Sequence, residues 1–198
     1  MTSRKEIAFQ VRERRAPVII VGMALMTFLM IMALHRTIHG EERQPLHDPR
    51  ERHLRTVRQL TFGGQNAEAY FSSDGRRLTF QSTREPFQCD QIFTMNIDGT
   101  EVKLMSSGKG RTTCSFFFPE RPRLIYSSTH LAGSACPPKP DYSKGYVWPI
   151  YAGYDIFSLN LDGSDLTRLT DTPGYDAEAT ISPDGRRIVF TSMRDGDL

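Results

Sequence analysis

Ala67-Glu68-Ala69-Tyr70-Phe71-Ser72-Ser73-Asp74-Gly75-Arg76-Arg77-Leu78-Thr79-Phe80-Gln81-Ser82-Thr83-Arg84 is written again 110 residues later, beginning at Ala177-Glu178-Ala179 and ending at Arg194. The two copies agree at 11 of 18 aligned positions without a gap, which makes the segment an internal repeat rather than a coincidence. A degenerate third copy, Phe116 to His130, aligns with Tyr70 to Arg84 at an offset of 46. A second motif, Ile92-Phe93, Asn96 and Asp98-Gly99, returns as Ile156-Phe157, Asn160 and Asp162-Gly163 at an offset of 64. The middle unit is therefore a 46-residue repeat carrying about 18 extra residues, placed at 131–153. Repeats of roughly 40–45 residues with four short strands each are the mark of a β-propeller blade, whose apolar faces are buried by stacking on neighbours.

The strands are legible inside the repeat. Asp-Gly pairs at 74–75, 98–99, 162–163 and 184–185 signal tight turns, because glycine tolerates the positive φ such turns need. Between them run Leu78-Thr79-Phe80, Ile92-Phe93-Thr94-Met95, Ile125-Tyr126, Ile156-Phe157-Ser158-Leu159 and Ile188-Val189-Phe190, rich in β-branched and aromatic residues. No apolar stripe of helical period survives past one turn there. The expected fold class is all-β: about two and a half propeller blades, preceded by one N-terminal transmembrane helix.

Ser182-Pro183-Asp184-Gly185-Arg186-Arg187, followed by Ile188-Val189-Phe190 and Thr191-Ser192, resembles the TolB-type propeller repeat of bacterial envelope proteins. The resemblance covers about residues 55–198. The stretch from Thr113-Cys114-Ser115 to Trp148-Pro149-Ile150-Tyr151 is similar to a Tol-like "biopolymer transport" subfamily. The resemblance implies the propeller fold of an envelope protein and is not specific to a function. Related propellers also cap prolyl-oligopeptidase-type peptidases, which keeps open a second class: a ligand-sensing or regulatory propeller whose catalytic part is absent.

Val18 to Leu34 is an uncharged run, lengthened by Ala16 and Pro17. At ~1.5 Å per residue it just crosses the ~30 Å hydrocarbon core of a bilayer. Arg12, Arg14 and Arg15 abut its start, which favours a cytoplasmic N-terminus. A cleaved signal peptide is the competing reading, but Ala33-Leu34-His35 and the residues after it lack a small-x-small site. The expected organisation is a basic cytoplasmic tail at 1–15, a signal anchor at 16–34, a polar linker at 35–54, and a partial propeller at 55–198. That places a single-pass protein in the bacterial inner membrane with its C-terminal domain in the periplasm.

With 25 Lys+Arg against 23 Asp+Glu the net charge is only +2, and no basic stripe interleaves with aromatics. Nucleic-acid binding has no support. His35 and His39 would share a helix face, but no cysteine or suitably spaced carboxylate completes a metal shell, so neither metal nor cofactor is expected. No GxSxG elbow, P-loop or HExxH is present. Ser192 and His130 occupy repeat positions, matched by Ser82 and Arg84, and therefore serve the blade.

Cys89, Cys114 and Cys136 all lie beyond the anchor, in a compartment where disulfides form. Blade topology brings all three toward one face. Cys114–Cys136 would tether the insertion to its own blade, and Cys89–Cys114 would staple two blades; the first is the favoured pairing. The insertion also carries Tyr142, Tyr146, Trp148 and Tyr151 on a proline-stiffened loop, the expected contact surface for a partner complex in the membrane. The alternative is that this loop folds over its own blade.

Arg55 to Thr61 matches Ser164 to Thr170, the outermost strand of a blade, so the domain opens with an outer strand and stops after two strands of a third blade. A ring needs at least about four blades to close. Further blades in the intact gene product, or a partner subunit over the open edges, would complete it. For the anchor, N-terminal sequencing of the mature protein is expected to find residues 16–34 retained. A start after residue 34 would remove the anchor.

Overall fold

The computed structural model describes Asp48 and residues 50–198, and the expected transmembrane run lies outside these. Among the described residues no helix is long and apolar enough to cross a membrane. Residues 59–198 form one compact unit. Of residues 1–58, the described part is a local turn in which Arg50 pairs with Asp48 at 2.7 Å and the Glu51 carboxylate accepts from the backbone of His53 and Leu54.

Ten strands build the compact unit. The first sheet holds β1 (Gln65–Phe71), β2 (Arg77–Thr83), β3 (Gln91–Asn96) and β4 (Lys103–Leu104), antiparallel in sequence order. The second repeats it with β5 (Thr112–Phe117), β6 (Arg123–Ser128), β7 (Asp155–Asn160) and β8 (Thr167–Arg168). A third sheet pairs β9 (Asp176–Ile181) with β10 (Ile188–Ser192). These are two blades and the first half of another, the all-β architecture that the repeat spacing predicts.

The repeated polar residues tie the turns. Ser72 Oγ donates to Asp74 at 2.6 Å and accepts from Arg77 N at 2.9 Å; Ser182, Asp184 and Arg187 do the same in the third sheet. In the β3–β4 and β7–β8 turns, Asp98 and Asp162 accept from the backbone of Thr100 and Ser164. Such side-chain-to-backbone bonds are why Ser, Asp and Asn punctuate the chain at these places. At the other end of the blade, Arg84 donates to Ser82 and Asn66, and Arg194 donates to Ser192 and Asp176. In the middle blade His130 stands in for the arginine, its Nδ1 lying 2.8 Å from Ser128 Oγ. Ser192 and His130 are thus engaged in the blade, as their repeat positions imply.

The core lies between sheets. Ile92 and Met105 of the first blade pack on Leu124, Tyr126, Phe157 and Leu159 of the second. The opposite face of that second blade, Ile125 and Ile156, packs on Ala179 with Ile188 and Phe190. Period-two alternation along β6 and β7 sends neighbouring residues to opposite interfaces, which is why these strands are buried along nearly their whole length. Thr79 and Ser115 exchange a buried hydrogen bond of 2.6 Å between the first two blades.

One element departs from expectation. None of residues 55–61 is in a strand, although Thr56 keeps the left-handed φ of 57° seen at its counterpart Asp165 (54°). An outer strand must hydrogen-bond to a third strand, and β3 and β7 already carry β4 and β8. Leu60 instead packs on the cluster of Leu78, Phe80, Phe93 and Met95, covering part of the first blade's outer face.

Leu124, wholly buried between the blades, is the test of this packing. Leu124→Ala is expected to cost about 2–5 kcal/mol in urea unfolding, whereas truncation of the exposed Val189 should cost little. Equal effects would place the core elsewhere.

Candidate functional site: an aromatic cleft at the inner strand ends

Each innermost strand contains the same irregularity. The register of β1 against β2 gains one residue between Ala67 and Tyr70, that of β5 against β6 between Thr113 and Phe116, and that of β9 against β10 between Ala177 and Thr180. At each step one residue is left-handed: Glu68 (φ 51°), Cys114 (φ 50°) and Glu178 (φ 59°). A bulge breaks the alternation of the pleat and re-aims the side chain. Here it brings Cys114 Sγ to 3.1 Å from Glu68 Oε2, so the thiol donates to the carboxylate. Thr191 Oγ1 donates to Glu178 at 2.9 Å.

Beside this cluster opens a cleft of about 250 Å³. Its aromatic lining is Tyr142, Tyr146, Trp148 and Tyr151 from the insertion with Tyr154 and Tyr175 from the blades. The four insertion residues singled out in the sequence therefore share one wall. Trp148 Nε1 donates to Tyr175 Oη at 3.3 Å, and the Tyr154 and Tyr175 rings meet edge-on with centroids 5.6 Å apart. The insertion reaches past its own blade to the start of the third sheet. Tyr151 Oη donates to Pro138 O at 2.6 Å, folding the loop on itself.

The polar side is formed by Glu68, Gln81, Asp90 and Arg111. Gln81 Oε1 accepts from Thr113 Oγ1 and Cys114 N. Arg111 Nη1 lies 3.4 Å from Asp90 Oδ2, while its Nε is buried without a partner among the described residues. Burial pushes the Tyr175 hydroxyl up to about 12, with a smaller contribution from Glu178 and Glu68 partly offset by its bond to Trp148. Burial raises the Tyr154 hydroxyl further still. Among the described residues, no group of three or more potential ligands could hold a metal ion.

The disulfide expectation is corrected. Cys89 pairs with Cys136, their Cα atoms 5.9 Å apart, and Cys114 is a free, buried thiol. The bond thus staples the first blade to the second blade's insertion. Docking of the insertion explains the choice. Ser134 O accepts from Gly110 N at 3.0 Å, and Gly110 O accepts from Gln91 Nε2 at 2.8 Å, which sets Cys136 beside Cys89. Gly110 must be glycine: its φ is +61°, and a Cβ would stand 2.7 Å from Thr129 Oγ1. Cys114, turned inward by its bulge, faces Glu68 instead of the loop.

Sequence reading missed Glu68, Gln81, Asp90, Arg111, Tyr154 and Tyr175. A signal exists for Asp90, Arg111, Tyr154 and Tyr175. Gln65, Arg111 and Tyr175 occupy one repeat position, and Asp90 and Tyr154 another. Places where copies of a repeat disagree are freed from the common demands of the blade.

Burial pushes the Cys114 thiol up to about 12, with Glu68 and Glu178 adding to the rise against a lowering bond from Thr113. The thiolate is the reactive form, so the native protein at pH 8 is expected to resist iodoacetamide at Cys114 until unfolded. Because the folded value lies above the ordinary 9.0, the stability this adds is complete below about pH 9 and lost as pH climbs toward 12. Rapid native labelling, or a peptide map joining Cys114 to another cysteine, would contradict this arrangement.

No family model matches the chain. The Tol-Pal system protein TolB of Bordetella pertussis is 53% identical over 34 residues, 17% of this chain and 8% of that protein. An uncharacterized protein of Agrobacterium fabrum is 29% identical over 129 residues, 65% of this chain and 36% of that protein. The solved structure of a protein from Agrobacterium tumefaciens assigned as TolB matches with a TM-score of 0.51 at 24% identity, over 68% of this chain and 41% of that one. The chain spans less than half the length of each. The described β domain has the TolB-type propeller fold.

Proposed function

We propose that this protein is a non-enzymatic, membrane-tethered periplasmic propeller that acts as an interaction or scaffold subunit of a larger envelope or membrane complex. Transport and bioenergetic assemblies, respiratory or photosynthetic, are the classes in view. Residues 16–34 supply the tether and the contact with the lipid bilayer in this reading. The observation that carries it is the insertion: a 23-residue loop at 131–153 that holds Tyr142, Tyr146 and Trp148 exposed at the lip of a cleft. Exposing large aromatics on a loop already tied by a disulfide has a clear use in binding, since little ordering entropy remains to be lost on contact. The relative in Bordetella is named for the Tol-Pal system, which supports a role among envelope proteins.

The cleft itself favours a second reading, a ligand-sensing or regulatory propeller. Affinity purification in mild detergent separates the two. A stoichiometric complex with an integral membrane partner supports the scaffold role; a monomer carrying a small molecule overturns it in favour of the sensor. Within the first reading, Trp148→Ala is expected to weaken retention of the complex at least severalfold while the β circular dichroism signal stays intact. Loss of folding would make the loop part of the core.

A further inference from the structure

We propose that the aromatic cleft is a receptor for an organic cation, the alkylammonium or guanidinium head of a Lys or Arg side chain on an extended partner segment. This rests on the interaction role and names its chemistry. Six aromatic rings line a space of about 250 Å³, smaller than the pockets of several hundred Å³ that take drug-sized ligands. It suits one long side chain. Ring faces attract cations, most strongly where water is excluded. Tyr154 and Tyr175 are buried at the base, while Tyr142, Tyr146 and Trp148 stand at the mouth, giving a slot with an apolar stem region and an open entrance.

The charges point the same way. Of the three charged groups on the lining, Asp90 and Arg111 face each other at 3.4 Å and largely cancel. Glu68 remains; its hydrogen-bond partner is the neutral Cys114 thiol, and among the described ion pairs none involves it. Glu178 adds negative potential at Tyr175 from the neighbouring strand. The insertion's own cations, Lys139 and Lys144, are not on the lining. An anion would meet Glu68 and Asp90; a neutral group would leave Glu68 uncompensated. A cation satisfies the carboxylate and the ring faces together.

The only tryptophan of the chain is Trp148, so its fluorescence reports occupancy directly. The full-length protein in detergent, disulfide intact, is titrated with acetyl-Gly-Lys-Gly-amide, the arginine analogue, the neutral norleucine analogue, and tetramethylammonium. The two cationic peptides should give a saturable change, the norleucine peptide none, and tetramethylammonium a weaker one. Glu68→Gln and Tyr146→Ala should each weaken the peptide response about five- to tenfold, with circular dichroism confirming that both variants fold. Equal responses to lysine and norleucine, or no saturable response, would overturn the proposal; saturation by tetramethylammonium alone would overturn the peptide source. A detergent-stable complex that depends on Trp148 without any cation response would leave the interaction role standing and remove only this chemistry.

Discussion

A propeller blade cannot bury itself. A full blade is a sheet of four strands with side chains on two faces, and one sheet covers neither. In this chain the second blade meets that constraint fully, with Leu124, Tyr126, Phe157 and Leu159 against the first blade and Ile125 and Ile156 against the third sheet. The remaining features depend on holding those sheets at a fixed stagger. The inner strands converge, their bulges bring Glu68 and Cys114 into contact, and the start of the third sheet comes within reach of a loop from the second.

The insertion uses that stagger. It leaves the second blade between β6 and β7, is pinned at Ser134 and Cys136, and lays Trp148 on Tyr175. A loop of this length would lose much entropy in holding four aromatics in register. The crosslink between Cys89 and Cys136, separated by 47 residues, reduces that cost by constraining the unfolded chain, an effect typically worth roughly 2–4 kcal/mol.

How much of this was legible in the sequence depends on whether a feature recurs. Strand order, turn positions and the roles of Ser192 and His130 were readable, because each is written two or three times and the copies corroborate one another. The site was legible only in part. Tyr142, Tyr146, Trp148 and Tyr151 stood out as aromatics on a proline-rich loop, yet the wall they meet did not. Tyr175 and Arg111 are single residues at the ragged starts of strands, where no periodicity speaks. The cysteine pairing was misread for a related reason. Topology placed three thiols on one face, but the choice among them turned on a bulge at Cys114 and on the contact between Ser134 and Gly110. Neither leaves a trace in hydrophobic pattern. Residues 55–61 show the converse: their pattern is that of an outer strand, and strand formation still needs a neighbour with free backbone groups.

The bulge in the innermost strands has a consequence for how such repeats diversify. A residue in the regular pleat answers to the core on one face and to its cross-strand neighbour on the other, so its identity is constrained by packing. The left-handed residue stands outside that alternation and finds partners of its own, Cys114 for Glu68 and Thr191 for Glu178. Glutamate, cysteine and glutamate occupy it in the three sheets with the same backbone geometry. The fold therefore carries, once in each of the three sheets, a position set apart from the regular pleat whose chemistry differs from one sheet to the next. A lineage could retune the inner surface one blade at a time, leaving the architecture untouched.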